Sequence, residues 1–427
     1  MNPLDKITEN LRKTVLKTYP SARKIIDRLK LEDPPEFLVA DLCFSVYFLS
    51  NNLKGDPSII AKHITKKIRE NFSSYKFLTD ASSDGPYVNL KLNRNLFEQS
   101  TIEYVTKNYK TIPRKKSSRV YLNYNIDYQE AIKPQNLQHL FLVGGIISRT
   151  FEADGAKVTH YVYVSNAGVS LNKKLLRGNI RNLLGKNTPK IFYQGEADRE
   201  SNLVVDKAIK NNYANFVSNT KAVISHSEKT SAELILRRND ESLTKSSQYL
   251  GYIKKSLAKD DPILVINITN DQDILGLESI FTLSRKLHLI PQKTALIFLP
   301  IKTFELDIPP NNLSMLYGVA KQLSTSSNRA QLSDLDIFTY KKIEKLTKKL
   351  SSSEEDIKYL DLFEITKLIS KFSSIVHETA RYIKPSLLFN FVDELMSASE
   401  RLHVERSRNL SRAVGVVLKK CISIILP

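Results

Sequence analysis

Only two cysteines, Cys43 and Cys421, occur in 427 residues. They stand far apart, each inside an apolar stretch, so they read as two buried thiols rather than as a disulfide or a metal pair. No His-x-x-x-His or Cys-x-x-Cys spacing occurs, which leaves a metal site without support. No run of about 18 or more apolar residues is present, which excludes a membrane-spanning helix. The opening segment, Met1 to Lys6, lacks the basic-then-apolar order of a secretion signal. These absences point to a soluble chain in a reducing, cytoplasmic setting.

Positive charge, by contrast, is plentiful. Lysine and arginine total 64 against 45 aspartates and glutamates, a formal net charge of +19. A polyanion is therefore the first partner to consider, because cationic side chains on phosphates release condensed counterions. The plainer alternative is that the charge only keeps the protein soluble. With 41% hydrophobic and 26% charged residues the composition is that of an ordinary globular protein. The length suggests roughly two to four domains.

Residues 1–112 read as a small α+β domain. Helical spacing runs through Ile7, Leu11 and Val15, then from Phe37 to Leu49, then from Ile59 to Ile68. Asp56-Pro57-Ser58 is a helix start, with proline in the first turn. After the turn signal Asp84-Gly85-Pro86, Val88, Leu90 and Leu92 alternate as in a half-buried strand. The basic stretch Pro113-Arg114-Lys115-Lys116-Ser117 reads first as a solvated linker and second as a phosphate contact.

Residues 113–310 read as a Rossmann-like α/β domain with a parallel sheet. Val120 to Tyr124 is a strand, 135–153 has helical apolar spacing, Gly155 suits a left-handed cap, and Lys157 to Val164 is a second strand. Strand, helix and strand in so short a stretch form a βαβ unit, hence parallel pairing. Ile263 to Ile268 and Ala295 to Leu299 read as buried parallel strands joined by a helix from Leu275 to Leu287. Ligands on such sheets bind at the carboxyl ends of the strands. Residues 311–427 show only helical spacing, with Pro385 starting one helix sharply, and read as an all-helical domain.

This order of parts resembles the arginyl-tRNA synthetase family along essentially the whole chain. Asp84 to Leu92 is similar to the family's glycine-proline-glycine-phenylalanine-isoleucine-asparagine-phenylalanine pattern in its N-terminal, tRNA-contacting domain. Leu316 to Lys321 resembles the Tyr-Ala-His-Ala-Arg opening of the anticodon-binding domain, and Arg406 to Val414 resembles its closing arginine-rich helix. Ser165-Asn166-Ala167-Gly168 resembles the family's Asn-Asp-Ala-Gly, and Asp271-Gln272 resembles a substrate-side Asp-Gln. The resemblance makes Asn166, Gly168, Asp271 and Gln272 remnants of a substrate cleft.

The resemblance fails at the nucleotide site. The family places a His-x-Gly-His motif at the start of the first helix after the first strand, where its histidines stabilise charge developing on the phosphates. Here the stretch is Lys133-Pro134-Gln135-Asn136-Leu137-Gln138-His139-Leu140. Asn136 stands at the first histidine, Gln138 at the glycine, and only His139 remains. A register that fits Gly144, Arg149, Glu152 and Gly155 better puts Pro134 and Leu137 at the histidines, which is worse. A Lys-Met-Ser-Lys-Ser-type loop is also missing between Pro300 and Pro310, and the whole domain is short for the family.

His160, on a strand face among valines, reads as a satisfied core residue, and Gly144-Gly145 as close helix packing. Arg401, Arg408, Arg412 and Lys419 recur near one helical face, opposite Val414, Val417, Leu418 and Cys421. With Arg114, Lys115, Lys116, Tyr317 and Lys321 they form the expected tRNA-binding set. The resemblance then implies a tRNA-binding relative of arginine–tRNA ligase without independent aminoacylation, an accessory factor for tRNA-Arg with an unidentified protein partner. One alternative is a divergent, active ligase using ATP with magnesium, arginine and tRNA-Arg. The other is an interaction scaffold without an RNA role.

Overall fold

The computed structural model describes the chain except for residues 36–37, 109–117, 128–133, 166–183, 185–187, 219, 227–232, 258–260, 270–273, 302–315, 318, 322–340, 347–360, 402–407 and 427. By internal contacts the chain divides into two compact units. One comprises Met1–Thr111, Leu346–Ser374 and Val392–Lys419; the other comprises Ile112–Lys345, Ile375–Phe391 and Lys420–Pro427.

The first unit begins with α1 (Pro3–Thr18), whose buried stripe of Leu4, Ile7, Leu11 and Val15 follows the helical period. Asn2 caps it by accepting from the Leu4 amide. The apolar stretch expected to be helical from Phe37 to Leu49 instead forms strand β1 (Leu42–Ser45) followed by a short helix, α2 (Tyr47–Leu53). The reason is tertiary: Leu42 to Ser45 pair antiparallel with the second of two further strands. Helix α3 (Pro57–Glu70) starts at Asp56, which accepts from the Ser58 and Ile59 amides. Strands β2 (Leu78–Asp84) and β3 (Tyr87–Leu92) form a hairpin, giving sheet order β1-β3-β2, and α4 (Arg94–Asn108) completes the run. Gly85 takes φ +50° in the hairpin turn, a left-handed conformation that glycine adopts without a Cβ penalty.

The second unit holds the expected parallel sheet. Its elements are β4 (Arg119–Asp127), α5 (Pro134–Ala153), β5 (Lys157–Ser165), β6 (Lys190–Tyr193), α6 (Asp198–Lys210), β7 (Asn215–Phe216), β8 (Val223–His226), β9 (Glu233–Arg237), α7 (Lys245–Tyr252), β10 (Leu264–Thr269), α8 (Ile274–Lys286) and β11 (Ala295–Pro300). Five strands run parallel in the order β11-β10-β4-β5-β6. Helix α7 continues directly into a π turn, Ile253–Leu257. Strands β7, β8 and β9 make a separate antiparallel sheet that the sequence pattern did not mark.

The carboxyl-terminal helices are α9 (Asp361–Ser370), α10 (Phe372–Tyr382), α11 (Ser386–Arg401) and α12 (Arg408–Ile425). No strand appears among the described residues past Pro300, so the α/β-plus-α class holds. Both cysteines are free and buried, and among the described residues no helix is long and apolar enough to cross a membrane.

Candidate functional site

Strand β4 is central, and its two faces do different work. Val120, Leu122, Tyr124 and Ile126 are buried, and Tyr124 lies against Phe141 of α5, ring centroids 4.6 Å apart. Gly144 is what lets α5 come so close, since a Cβ there would meet the Tyr124 hydroxyl at 2.0 Å. The Tyr124 hydroxyl bonds His160 Nδ1 at 3.0 Å, and His160 Nε2 bonds Ser148 Oγ at 2.9 Å. This serine–histidine–tyrosine chain is not a nucleophilic site. All three residues are at most 1% exposed, and burial, helped by the nearby Arg149 charge, drives His160 down to about 3. The reading of His160 as a satisfied core residue is thus correct.

On the opposite face, Asn123 is held on every side. Its Nδ2 donates to the Tyr249 hydroxyl and to Asn267 Oδ1, each at 2.7 Å, and its Oδ1 accepts from the Tyr252 hydroxyl at 2.7 Å. Asn267 is its direct neighbour on β10. An amide suits this position because it offers donors and an acceptor together. Tyr163 on β5 packs between Tyr249 and Tyr252, with centroids 4.8 and 4.9 Å away. Burial pushes the Tyr252 and Tyr163 phenols well up, so both stay protonated.

One step nearer the carboxyl ends lies a row of three polar residues on this same face. Asn125 stands opposite Tyr163, and Thr269 follows Ile268, which stands opposite Tyr124. Among the described residues the buried Asn125 Oδ1, Tyr163 hydroxyl and Thr269 Oγ1 have no hydrogen-bond partner. Unpaired buried polar atoms cost about 1–3 kcal/mol each and call for an explanation. At the carboxyl edge of a parallel sheet, ligand binding is the natural one. Beyond β6, Gln194 donates to Gln248 at 2.6 Å and Gln248 donates to Asp198 at 3.0 Å; the Asp198 charge also acts on Tyr163. The site can therefore offer hydrogen bonds and one carboxylate, but the described residues supply no nucleophile–base pair.

The sequence-derived residues are placed unevenly. Asn136, Gln138 and His139 fall in the opening turns of α5, as a helix-start motif requires, but their side chains lie outside the described set. Asn166 and Gly168 follow the end of β5, Asp271 and Gln272 follow the end of β10, and all four lie outside the described residues, as do Arg114, Lys115 and Lys116. Tyr317 requires a correction. It is fully buried and meets Phe389 edge-on at 5.4 Å, so its ring has no face to offer a base. Lys321 is half-buried. Arg401 closes α11 whereas Arg408 opens α12, so the four basic positions do not share one helix. Their two described side chains, Arg412 and Lys419, are exposed on α12, with Val414, Val417, Leu418 and Cys421 buried. Asn123, Asn267, Tyr249 and Tyr252 escaped the sequence reading. The visible signal was an asparagine in the middle of each of two apolar strands.

No family model matches the chain. It is 29% identical over 148 residues to the arginine–tRNA ligase of Methanosphaera stadtmanae, covering 34% of this chain and 25% of that protein. To the arginine–tRNA ligase of Borrelia hermsii it is 28% identical over 183 residues, covering 40% and 30%. The matches thus span only a quarter to a third of these curated relatives' length. Among solved structures, arginyl-tRNA synthetase from Plasmodium falciparum superposes with a TM-score of 0.71 at 11% identity, covering 99% of this chain and 97% of that one. The Thermus thermophilus arginyl-tRNA synthetase gives 0.68 at 10% identity, covering 99% and 98%. The fold is that of these synthetases.

Proposed function

We propose that this arginyl-tRNA synthetase-like chain binds tRNA, tRNA-Arg first among candidates, and does not activate arginine unaided. The observation that carries the reading is the stretch Lys133 to Leu140, where His139 alone remains of the nucleotide motif. Adenylate formation relies on concentrated charge stabilisation, and each lost donor costs about 10²–10³ in rate. The commitment of Asn123 to Tyr249, Tyr252 and Asn267 supports it further, since that amide has no donor left for a substrate. Binding to tRNA spreads over many phosphate contacts and survives sequence drift. On this reading residues 1–112 and 311–427 contact tRNA, the latter as an anticodon-binding-like domain. Residues 113–310 keep a synthetase-like fold, and the protein serves as an accessory factor in the cytoplasm.

A second reading, a divergent but active arginine–tRNA ligase, is favoured by one observation: the unpaired row of Asn125, Tyr163 and Thr269 at the strand ends. Those groups would orient a bound amino acid or nucleotide. Among the described residues no cluster of three histidine, cysteine, aspartate or glutamate side chains could hold a metal; in such a ligase magnesium would enter with the ATP triphosphate.

ATP–pyrophosphate exchange with arginine, run with and without tRNA, decides between them. No exchange together with tRNA binding at physiological salt supports the first reading. Exchange above background in either arm overturns it. Absence of tRNA binding would leave only a scaffold role.

A further inference from the structure

The compact unit built on Met1–Thr111 also takes in Leu346–Ser374 and Val392–Lys419, so the amino-terminal elements share one unit with α9 and with parts of α11 and α12. Helix α9 is where the two stretches of chain join. Its Phe363 is 3% exposed and belongs to the same hydrophobic core as Leu11, Ile64 and Leu90. The ring meets Phe97 of α4 edge-on, centroids 6.1 Å apart. At the end of α9, the Asn2 amide donates to the Ser370 carbonyl.

Charges surround that apolar contact. Arg94 Cζ lies 4.7 Å from the Phe363 ring centroid and Lys367 Nζ 5.5 Å from it. The Lys367 side chain is only 8% exposed, yet it reaches Asp33 at 3.5 Å and Glu364 at 2.9 Å. It also donates to the Asp41 carbonyl at 3.4 Å. Lys371, just past the helix, binds the same Asp33. Asp41 in turn holds Arg94 at 2.7 Å and accepts from the Leu92 amide at 2.8 Å. Burial alone would raise the Asp33 carboxyl, but hydrogen bonds and charge from Lys371 and Lys367 hold it below the ordinary carboxylate range.

A buried ammonium is a costly way to hold a helix in place. Exchanging buried ion pairs for apolar side chains often leaves stability unchanged or higher. What an apolar side chain does not supply is direction. A greasy helix face can rotate or slide on a neighbouring core, whereas Lys367 meets oxygens of Asp33, Glu364 and Asp41 together in one seating. We propose that Lys367 is a positioning residue that fixes the seating of α9 on the amino-terminal domain, and thereby the geometry in which that domain and the carboxyl-terminal helices of the same unit meet one tRNA. The proposal rests on the reading that the chain binds tRNA, and adds that its two contacting regions act as one bivalent clamp. When two contacts are held at a matched span, the second forms at high effective concentration, and that gain is lost when the geometry slips.

The test measures tRNA affinity against salt concentration, together with the denaturant midpoint, for the full chain as wild type, Lys367→Met and Asp33→Lys. Lys367→Met is expected to match or exceed the wild-type midpoint and to bind tRNA about tenfold more weakly. Its salt slope should stay at the wild-type value, because a buried ammonium touches no phosphate. Asp33→Lys is expected to bind more weakly as well, although it adds two positive charges and simple attraction to phosphate predicts the reverse. Wild-type affinity in Lys367→Met overturns the proposal, as does tighter binding by Asp33→Lys. Loss of affinity in Lys367→Met only together with a lower midpoint marks a merely stabilising lysine and overturns it too. If Asp33→Lys does not fold, Lys367→Met decides alone. If the wild type binds no tRNA, the underlying reading fails and the clamp falls with it.

Discussion

Arg149, near the carboxyl end of α5, donates through Nε to the carbonyl of Ile424 at 2.8 Å and through Nη2 to the carbonyl of Ile425 at 2.9 Å. Those carbonyls belong to the last turn of α12, where helix geometry leaves acceptors without intrahelical partners. A forked guanidinium satisfies two of them and opposes the negative end of the helix dipole. Burial lowers the Arg149 pKa to about 10, and it still remains charged at neutral pH.

Replacing Arg149 with methionine should destabilise the protein by about 3 kcal/mol, because two buried carbonyls lose their donors. Arg149→Lys should cost less, since one ammonium cannot serve both carbonyls with fork geometry. Urea unfolding measures the loss, and hydrogen exchange should accelerate in the last turn of α12. Equal stability of all three proteins would contradict the capping role.

Gly144→Ala should cost about 2–4 kcal/mol, since the new methyl meets the Tyr124 ring and hydroxyl inside a packed core. Tyr124→Phe in the same chain should rescue only part of this. It removes the atom at 2.0 Å but leaves ring carbons at 2.7 and 2.8 Å. Thermal unfolding of the single and double variants checks both statements.

Asn123→Leu should lower stability by about 2–4 kcal/mol, stranding the Tyr252 hydroxyl and Asn267 Oδ1 in a dry core. Asn123→Asp should be as harmful, because Asn123 donates two of its bonds and a carboxylate has no N–H. A wild-type denaturant midpoint in either variant would remove this network from the account of the fold.

Acid should weaken the fold through His160. Its folded pKa, about 3, lies below the ordinary 6.5, so between these values the unfolded state binds more protons. Stability is therefore complete above about pH 6.5 and falls as pH drops toward 3, by up to about 1.4 kcal/mol per pH unit from this one group. His160→Gln should show a shallower decline in denaturant midpoint between pH 6.5 and 4. Parallel curves for the two proteins would mean that His160 is not the buried neutral group described.

The elements readable from sequence are those whose burial follows their own period. Leu137, Leu140 and Ile147 mark α5 by their spacing, and the apolar runs of β10 and β11 read as strands; β10 is buried as expected, whereas β11, at the edge of the sheet, is only half-buried. Strand β1 was not readable, since Leu42 to Ser45 lies in an apolar stretch that suits a helix equally well until β3 pairs with it. Strand β2, Leu-Thr-Asp-Ala-Ser-Ser-Asp, carries almost none of the branched side chains that mark a strand. It exists because β3 and α3 lie beside it.

The sequence by itself determined the class of the protein: its charge, its parallel sheet and helical end, and its likeness to arginyl-tRNA synthetases. Those properties belong to residue types and local periods, which need no partner to be expressed. The tertiary structure alone decided that Asn123 meets Tyr249 and Tyr252, more than a hundred residues away, that Asn125, Tyr163 and Thr269 form one row, and that Tyr317 is enclosed. The physical reason is that pairing register and helix packing choose which distant side chains share a face, and no local pattern carries that choice.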